Sequence, residues 1–161
     1  MLFRSIRTVG RLTGTVDAAE GITSQMAQEA GSIEQIADSE PRVRCFFEVA
    51  YPPLFTVGPN TFIADLLDRA GCDSVSATAK SDYPEWSVDD LVAGGPDVYL
   101  VSSESGVSPA AVAKRPGFSA IPAVAEGRVY LIDSDLVSRP GPRVVRGLEL
   151  LATALHQPPG E

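Results

Sequence analysis

The chain has 161 residues, 44% hydrophobic and 21% charged, a balance that suits one globular domain plus an extension and excludes intrinsic disorder. Thirteen basic against 21 acidic residues give a net charge of −8, a poor match for nucleic acid or an anionic membrane. No apolar run approaches the roughly 20 residues of a spanning helix, and a single histidine, His156, excludes most histidine-based metal and triad chemistry.

The first forty residues differ from the rest. Phe3, Ile6, Val9, Leu12, Val16, Ala19, Ile22, Met26, Ala30, Ile33 and Ile36 recur every three or four positions, a helical stripe. Gly10 and Gly14 interrupt it. The pattern predicts a short helix, a break, and a long helix through Asp38, capped by Thr13 or Thr15. At roughly 22 residues that helix would span about 33 Å, long enough to act as a strut beyond its own lobe. The segment from Met1 to Gly14 carries basic residues but no continuous apolar core or cleavage site, so it does not read as a signal peptide.

After Ser39-Glu40-Pro41 the pattern changes. Arg42 to Val49 reads as a strand that ends in a turn at Tyr51-Pro52-Pro53. Pro59-Asn60-Thr61 starts a helix with Phe62, Ile63, Leu66, Leu67 and Ala70 on one face and Gly71 as its stop. Ser87-Val88-Asp89-Asp90 has the form of a capping box for a short helix to Ala93. Pro96 to Val101 is a buried strand, Ser108-Pro109 opens another short helix, and Gly127 to Asp133 is a strand with Val129 and Leu131 alternating with polar neighbours. Pro140-Gly141-Pro142 leads into a helix with Val144, Val145, Leu148, Leu151, Ala152 and Leu155 inward. The tail from Gln157 to Glu161 is expected to fray.

Strands alternating with helices predict an α/β, three-layer sandwich with a mainly parallel sheet. In such sheets ligands sit beyond the carboxyl ends of the strands. Glu48 to Phe55, Ser102 to Val107 and Asp133 to Arg139 occupy that edge, joined by an aromatic loop, Ser81 to Trp86.

Catalytic signals are poor. There is no Gly-x-Ser-x-Gly elbow, no Gly-x-Gly-x-x-Gly and no Walker pattern. His156 ends the last helix, where it meets the helix dipole favourably. Asp133-x-Asp135 alone supplies too few oxygens for a divalent cation. Glu104 reads as solvated. Cys45 and Cys72 have no metal spacing and are expected as free thiols in the interior; a bond between them is allowed but not implied.

The aromatic loop is more informative. Tyr83 and Trp86 on a Pro84-stiffened loop can form a flat contact surface for a large ligand. For Trp86 the favoured alternative is a hydrophobic staple onto Val88 or Leu91. Tyr51 and Phe55 flank Pro52-Pro53, and at least one is expected to face the same edge. Arg139 either serves that edge or pairs with Asp135 on the surface.

At these residues the chain resembles the periplasmic binding proteins of ABC importers for vitamin B12, haem and iron siderophores. The resemblance runs from Gly10-Arg11-Leu12-Thr13-Gly14 to about His156. Its specific pieces are 43–49, 58–63, 67–71, Tyr83-Pro84-Glu85-Trp86-Ser87, 95–98, 123–130 and Arg139-Pro140-Gly141-Pro142-Arg143. The Tyr-Pro and Arg-Pro-Gly-Pro-Arg segments look most like the cobalamin branch. The resemblance implies two lobes joined by a long helix with ligand between them. On it, residues 1–40 form a helical segment that includes the interlobe helix, and residues 41–161 form the C-terminal lobe.

The resemblance also implies roles. Tyr83 matches an aromatic that stacks on the ligand, and Phe55 matches another that lines the cleft. Asp135 and Arg139 match polar positions near the ligand. Asp89 falls where the family usually has a Glu that pairs with Arg on the permease; its alternative role is to favour its helix dipole. Cys72 stands where a second Gly is common.

The implied function is non-catalytic binding of a corrinoid, with haem or a ferric siderophore as alternatives, in an extracytoplasmic setting and with ABC permease subunits as partners. No enzyme cofactor is implied. Two other classes are a flavodoxin-like lobe that binds a cofactor at Ser102 to Gly106, and a lobe that self-associates as a homodimer through its exposed interlobe surface.

Overall fold

The computed structural model describes residues 3–157. Most of the tail expected to fray, 158–161, lies outside the described residues. In chain order the elements are α1 (Arg4–Thr13), α2 (Val16–Ser39), β1 (Val43–Ala50), β2 (Phe55–Thr56), α3 (Phe62–Arg69), β3 (Cys72–Ser74), α4 (Val88–Gly94), β4 (Val98–Ser102), α5 (Pro109–Val112), α6 (Pro122–Ala125), β5 (Val129–Ile132), α7 (Ser134–Val137) and α8 (Val144–His156). Short 3-10 turns occupy Ser103–Ser105 and Phe118–Ala120.

β1, β4 and β5 run parallel, with Phe46 opposite Tyr99 and Leu100 opposite Tyr130. The other edge of β1 is shared. β3 pairs parallel with its first half, and β2 pairs antiparallel with its last residues. Alternation along the strands sends side chains to two cores. Cys45, Phe47, Val98, Leu100 and Ile132 pack under α2, α3, α7 and α8. Phe46, Tyr99, Val101 and Val129 pack under α4, α5, α6 and the Phe118 turn. Burying each large apolar side chain contributes about 1.5–3 kcal/mol before entropy is counted. This is the expected α/β, three-layer arrangement with a mainly parallel sheet.

Several expectations differ in detail. The break at Gly14 is real, with a φ of 74° closing α1. However, Thr15 takes the N-cap position of α2 without capping it through its side chain. Its hydroxyl instead pairs with that of Thr13 at 2.8 Å. α1 folds back on α2, where a Cβ on Gly10 would overlap Ala19. The helical stripe is partly covered: Ala19 meets α1, and Met26 and Ala30 join the core beneath the sheet, whereas Leu12 is 82% and Ile36 67% exposed.

The sequence did not reveal β2 and β3, because two- and three-residue strands are too short for a period to register. In β5 the alternation fails at Leu131, which is exposed although it shares the face of buried Val129.

The cysteines require a correction. Cys45 and Cys72 are joined in a disulfide, with their Cα atoms 5.7 Å apart. Parallel pairing of β1 with β3 brings the two residues together, a juxtaposition that spacing 27 residues apart could not reveal. The bond fastens β3 to the start of the sheet.

Candidate binding edge at the carboxyl ends of the strands

The edge is built from a turn. Tyr51-Pro52 and Pro52-Pro53 are both cis peptide bonds, and the chain reverses after β1 into β2. The segment Asp82–Trp86 then lies antiparallel along Leu54–Gly58. Trp86 N–H donates to Leu54 O at 2.8 Å, Thr56 N–H to Pro84 O at 3.1 Å and Gly58 N–H to Asp82 O at 2.7 Å. Phe55 opposes Glu85 in this short ladder. Gly58 is needed for the close approach, since a Cβ there would overlap the Ser81 carbonyl. The aromatic loop of the sequence is thus an edge segment fixed by main-chain bonds, and main-chain pairing restricts its freedom before any ligand arrives.

This arrangement brings some of the sequence-derived residues together. Tyr83 stands 55% exposed, two residues from the position opposite half-buried Phe55. Trp86 is half-buried against the Phe46 and Tyr99 core, 6.5 Å from the Phe46 ring. Its indole N–H is buried without an acceptor. The same cluster holds Leu91, with Val88 packed against it. Ser87 caps α4 by accepting the Asp90 N–H at 3.0 Å and donates its hydroxyl to the Asp90 carboxylate at 2.7 Å. Asp89 is exposed in the same first turn.

At the other end of the edge, Arg139 and Asp135 form an ion pair at 3.3 Å, both exposed and four residues apart. Asp133 is occupied locally, its carboxylate accepting the Asp135 N–H at 3.0 Å to cap α7. The loops after β4 and β5 are tied by serines. Ser103 Oγ lies 3.0 Å from Ser134 Oγ and accepts the Ser134 N–H at 3.0 Å. His156 lies 3.1 Å from the Ala70 carbonyl, away from the edge.

Beneath the turn lies a cluster that the sequence did not single out. Glu48, near the end of β1, is fully buried. Arg115 grips its carboxylate with both arms, Nη1 to Oε2 at 2.6 Å and Nη2 to Oε1 at 3.0 Å. Tyr99 donates its hydroxyl to Oε2 at 2.5 Å. The guanidinium carbon sits 4.1 Å from the centroid of the Tyr51 ring and 5.1 Å from that of Phe118. A buried carboxylate is tolerable only with such partners. Burial, and then the adjacent Glu48 charge, push the Tyr99 hydroxyl far above the usual tyrosine range. For Arg115 burial acts downward, but its hydrogen bonds and charge interaction with Glu48 outweigh this and hold it above its ordinary value. The one sequence signal for this cluster was a carboxylate directly after the apolar run Cys45-Phe46-Phe47 of β1. Nothing local pointed to Arg115, 67 residues further along.

A model of the family described as periplasmic binding protein matches residues 1–136. The chain belongs to that family. It is 31% identical over 161 residues to the uncharacterised ABC transporter substrate-binding lipoprotein YvrC of Bacillus subtilis, a match covering 96% of this chain and 50% of that one. It is also 31% identical over 157 residues to a cobalamin-binding protein of Halobacterium salinarum, covering 92% of this chain and 42% of that one.

Among solved structures, the periplasmic heme-binding protein RhuT of Roseiflexus superimposes with a TM-score of 0.86 at 24% identity, over 96% of this chain and 61% of that one. The periplasmic vitamin B12 binding protein BtuF of Vibrio cholerae does so with a TM-score of 0.83 at 17% identity, over 96% and 60%. These two likenesses establish the fold. The chain spans about half the length of the curated relatives it matches. Family members named in these comparisons are transport substrate-binding proteins, not enzymes.

Proposed function

We propose that this chain forms the interlobe helix (within residues 1–40) and the C-terminal lobe (41–161) of a two-lobe protein that delivers a corrinoid to an ABC importer. The observation that carries the reading is the edge segment Asp82–Trp86, whose three main-chain bonds to Leu54–Gly58 fix an exposed Tyr83 two residues from the position opposite Phe55. Two aromatic side chains on a stiffened edge suit a large, flat ligand, because little side-chain entropy is lost when it binds. The cobalamin-binding relative of Halobacterium favours a corrinoid over the other cargoes of the family.

In this reading Phe55 and Tyr83 contact the ligand face. Asp135 and Arg139, exposed at the far end of the edge, orient its polar periphery. Tyr51 and Trp86 back the surface from half-buried positions. Asp89, exposed on α4, meets a basic residue of the permease. The chain binds and hands over its cargo without reacting it. The Cys45–Cys72 disulfide fits an oxidising, extracytoplasmic compartment.

The test is a titration of the full-length protein with cyanocobalamin, haemin and a ferric hydroxamate siderophore, repeated on a Tyr83→Ala, Phe55→Ala double variant. The reading expects cyanocobalamin to bind most tightly and the double variant to lose at least about tenfold in affinity. Preference for haemin or the siderophore, or equal affinity in the double variant, overturns it.

A further inference from the structure

We propose that Arg115 is a positioning residue for the binding edge, acting on the aromatic surface through Tyr51 while anchored on buried Glu48. The proposal rests on the binding reading above and adds to it what holds the surface in place.

Three contacts make the connection. The anchor is the two-armed grip of Arg115 on Glu48, whose carboxylate is also fixed by Tyr99 of the neighbouring strand. Glu48 is fully buried and paired on both sides, opposite Val101 of β4 and Thr56 of β2, at the point where the β1–β2 register shifts, so it is a fixed point. The transmitting contact is the guanidinium lying against the Tyr51 ring at 4.1 Å. Phe118 meets both partners, 5.5 Å from the Tyr51 ring centre to centre and 5.1 Å from the guanidinium carbon. The receiving element is the turn itself. Tyr51 is its first residue, and Leu54 at its end accepts the Trp86 N–H that starts the edge ladder. A displacement of Tyr51 therefore reaches the segment that carries Tyr83 through three residues of turn.

The chemistry of arginine is specific to this task. A planar guanidinium can satisfy two carboxylate oxygens in its plane and still present a flat face to a ring. A lysine would neutralise Glu48 but could neither form the fork nor lie against Tyr51. Neutralising the buried charge and orienting the turn are thus separable by substitution.

The chain contains one tryptophan, Trp86, on the edge segment, so its fluorescence reports on the surface without any ligand. Arg115→Lys is expected to retain cooperative unfolding. Trp86 emission is expected to shift to longer wavelength and acrylamide quenching to rise at least about twofold, as for a locally loosened segment. Cyanocobalamin affinity of the full-length protein is expected to fall roughly tenfold.

Arg139→Ala, which alters an exposed edge residue, should leave Trp86 emission unchanged. A Glu48→Met, Arg115→Met double variant removes both charges together, so no unpaired charge is buried, and it should show the same Trp86 response as Arg115→Lys. This variant decides the matter if Arg115→Lys does not fold. Folded variants with wild-type Trp86 emission and quenching overturn the positioning role, whatever the ligand. Failure of the wild type to bind cyanocobalamin overturns the corrinoid reading and leaves the fluorescence test of Arg115 intact.

Discussion

Two arginine–carboxylate pairs lie along the same end of the sheet, and they differ in almost everything but chemistry. Glu48–Arg115 lies beneath the turn, its side chains 0% and 9% exposed, joined by two hydrogen bonds across 67 residues of chain. Asp135–Arg139 lies on the rim, 53% and 72% exposed, joined at 3.3 Å between residues four apart in the chain. The rim pair is easy to find in the sequence and adds little to stability, because water screens it and side-chain entropy opposes it. The buried pair is invisible locally, and losing either partner leaves a charge that water cannot reach. Charge pairs that can be read by spacing are thus the ones on which folding depends least, while their exposure leaves them available to a ligand.

The largest expected effect breaks the buried pair. Arg115→Ala should cost about 3–5 kcal/mol in urea unfolding, since Glu48 would remain buried without its partner. A loss below about 1 kcal/mol would place the two pairs on an equal footing and end the contrast.

Next comes the opposite end of β1. Replacing Cys45 and Cys72 together by serine opens a loop of 27 residues of separation and should cost about 3–4 kcal/mol on the loop-entropy account. Trp86 emission in the native state should not change, because the Glu48 cluster anchors the edge independently. A change would mean that the edge is held by the disulfide end of the sheet instead.

Tyr99 sharpens the contrast through pH. Its hydroxyl stays protonated in the fold well beyond pH 10, where an unfolded tyrosine ionises. Above that pH the unfolded chain binds fewer protons than the native one. Stability should therefore fall as pH rises, by up to about 1.4 kcal/mol per unit from this group. Tyr99→Phe should flatten that alkaline slope, as read by denaturation at pH 9 and pH 11. No comparable slope should be traceable to the rim. The smallest effect is expected there: Asp135→Asn or Arg139→Ala should change stability by roughly 0.2–1 kcal/mol or less, and less still at high salt.

Much of the architecture was legible from the chain. The helical stripe before Ser39, the apolar runs at β1 and β4, and the Ser87 and Ser108 caps each rest on neighbouring residues, and each formed as expected. Helix capping and hydrophobic periodicity are local physics. The exposure of Tyr83 could be anticipated because a polar, Pro84-stiffened loop exposes what it carries. The ladder that fixes it could not, because it depends on β2, a strand of two residues. The free-thiol expectation failed for a similar reason. Cys45 and Cys72 meet only once β3 pairs with β1.

What the sequence determined by itself is the order and kind of the longer elements and the family motifs, carried by residues within a few positions of one another, and the acidic character that opposes nucleic acid. Tertiary structure alone decided the disulfide, the ladder beneath Tyr83 and the Glu48–Arg115–Tyr99 cluster. Each of these joins residues that only chain closure brings within bonding distance, and their interaction strength comes from the burial that closure creates.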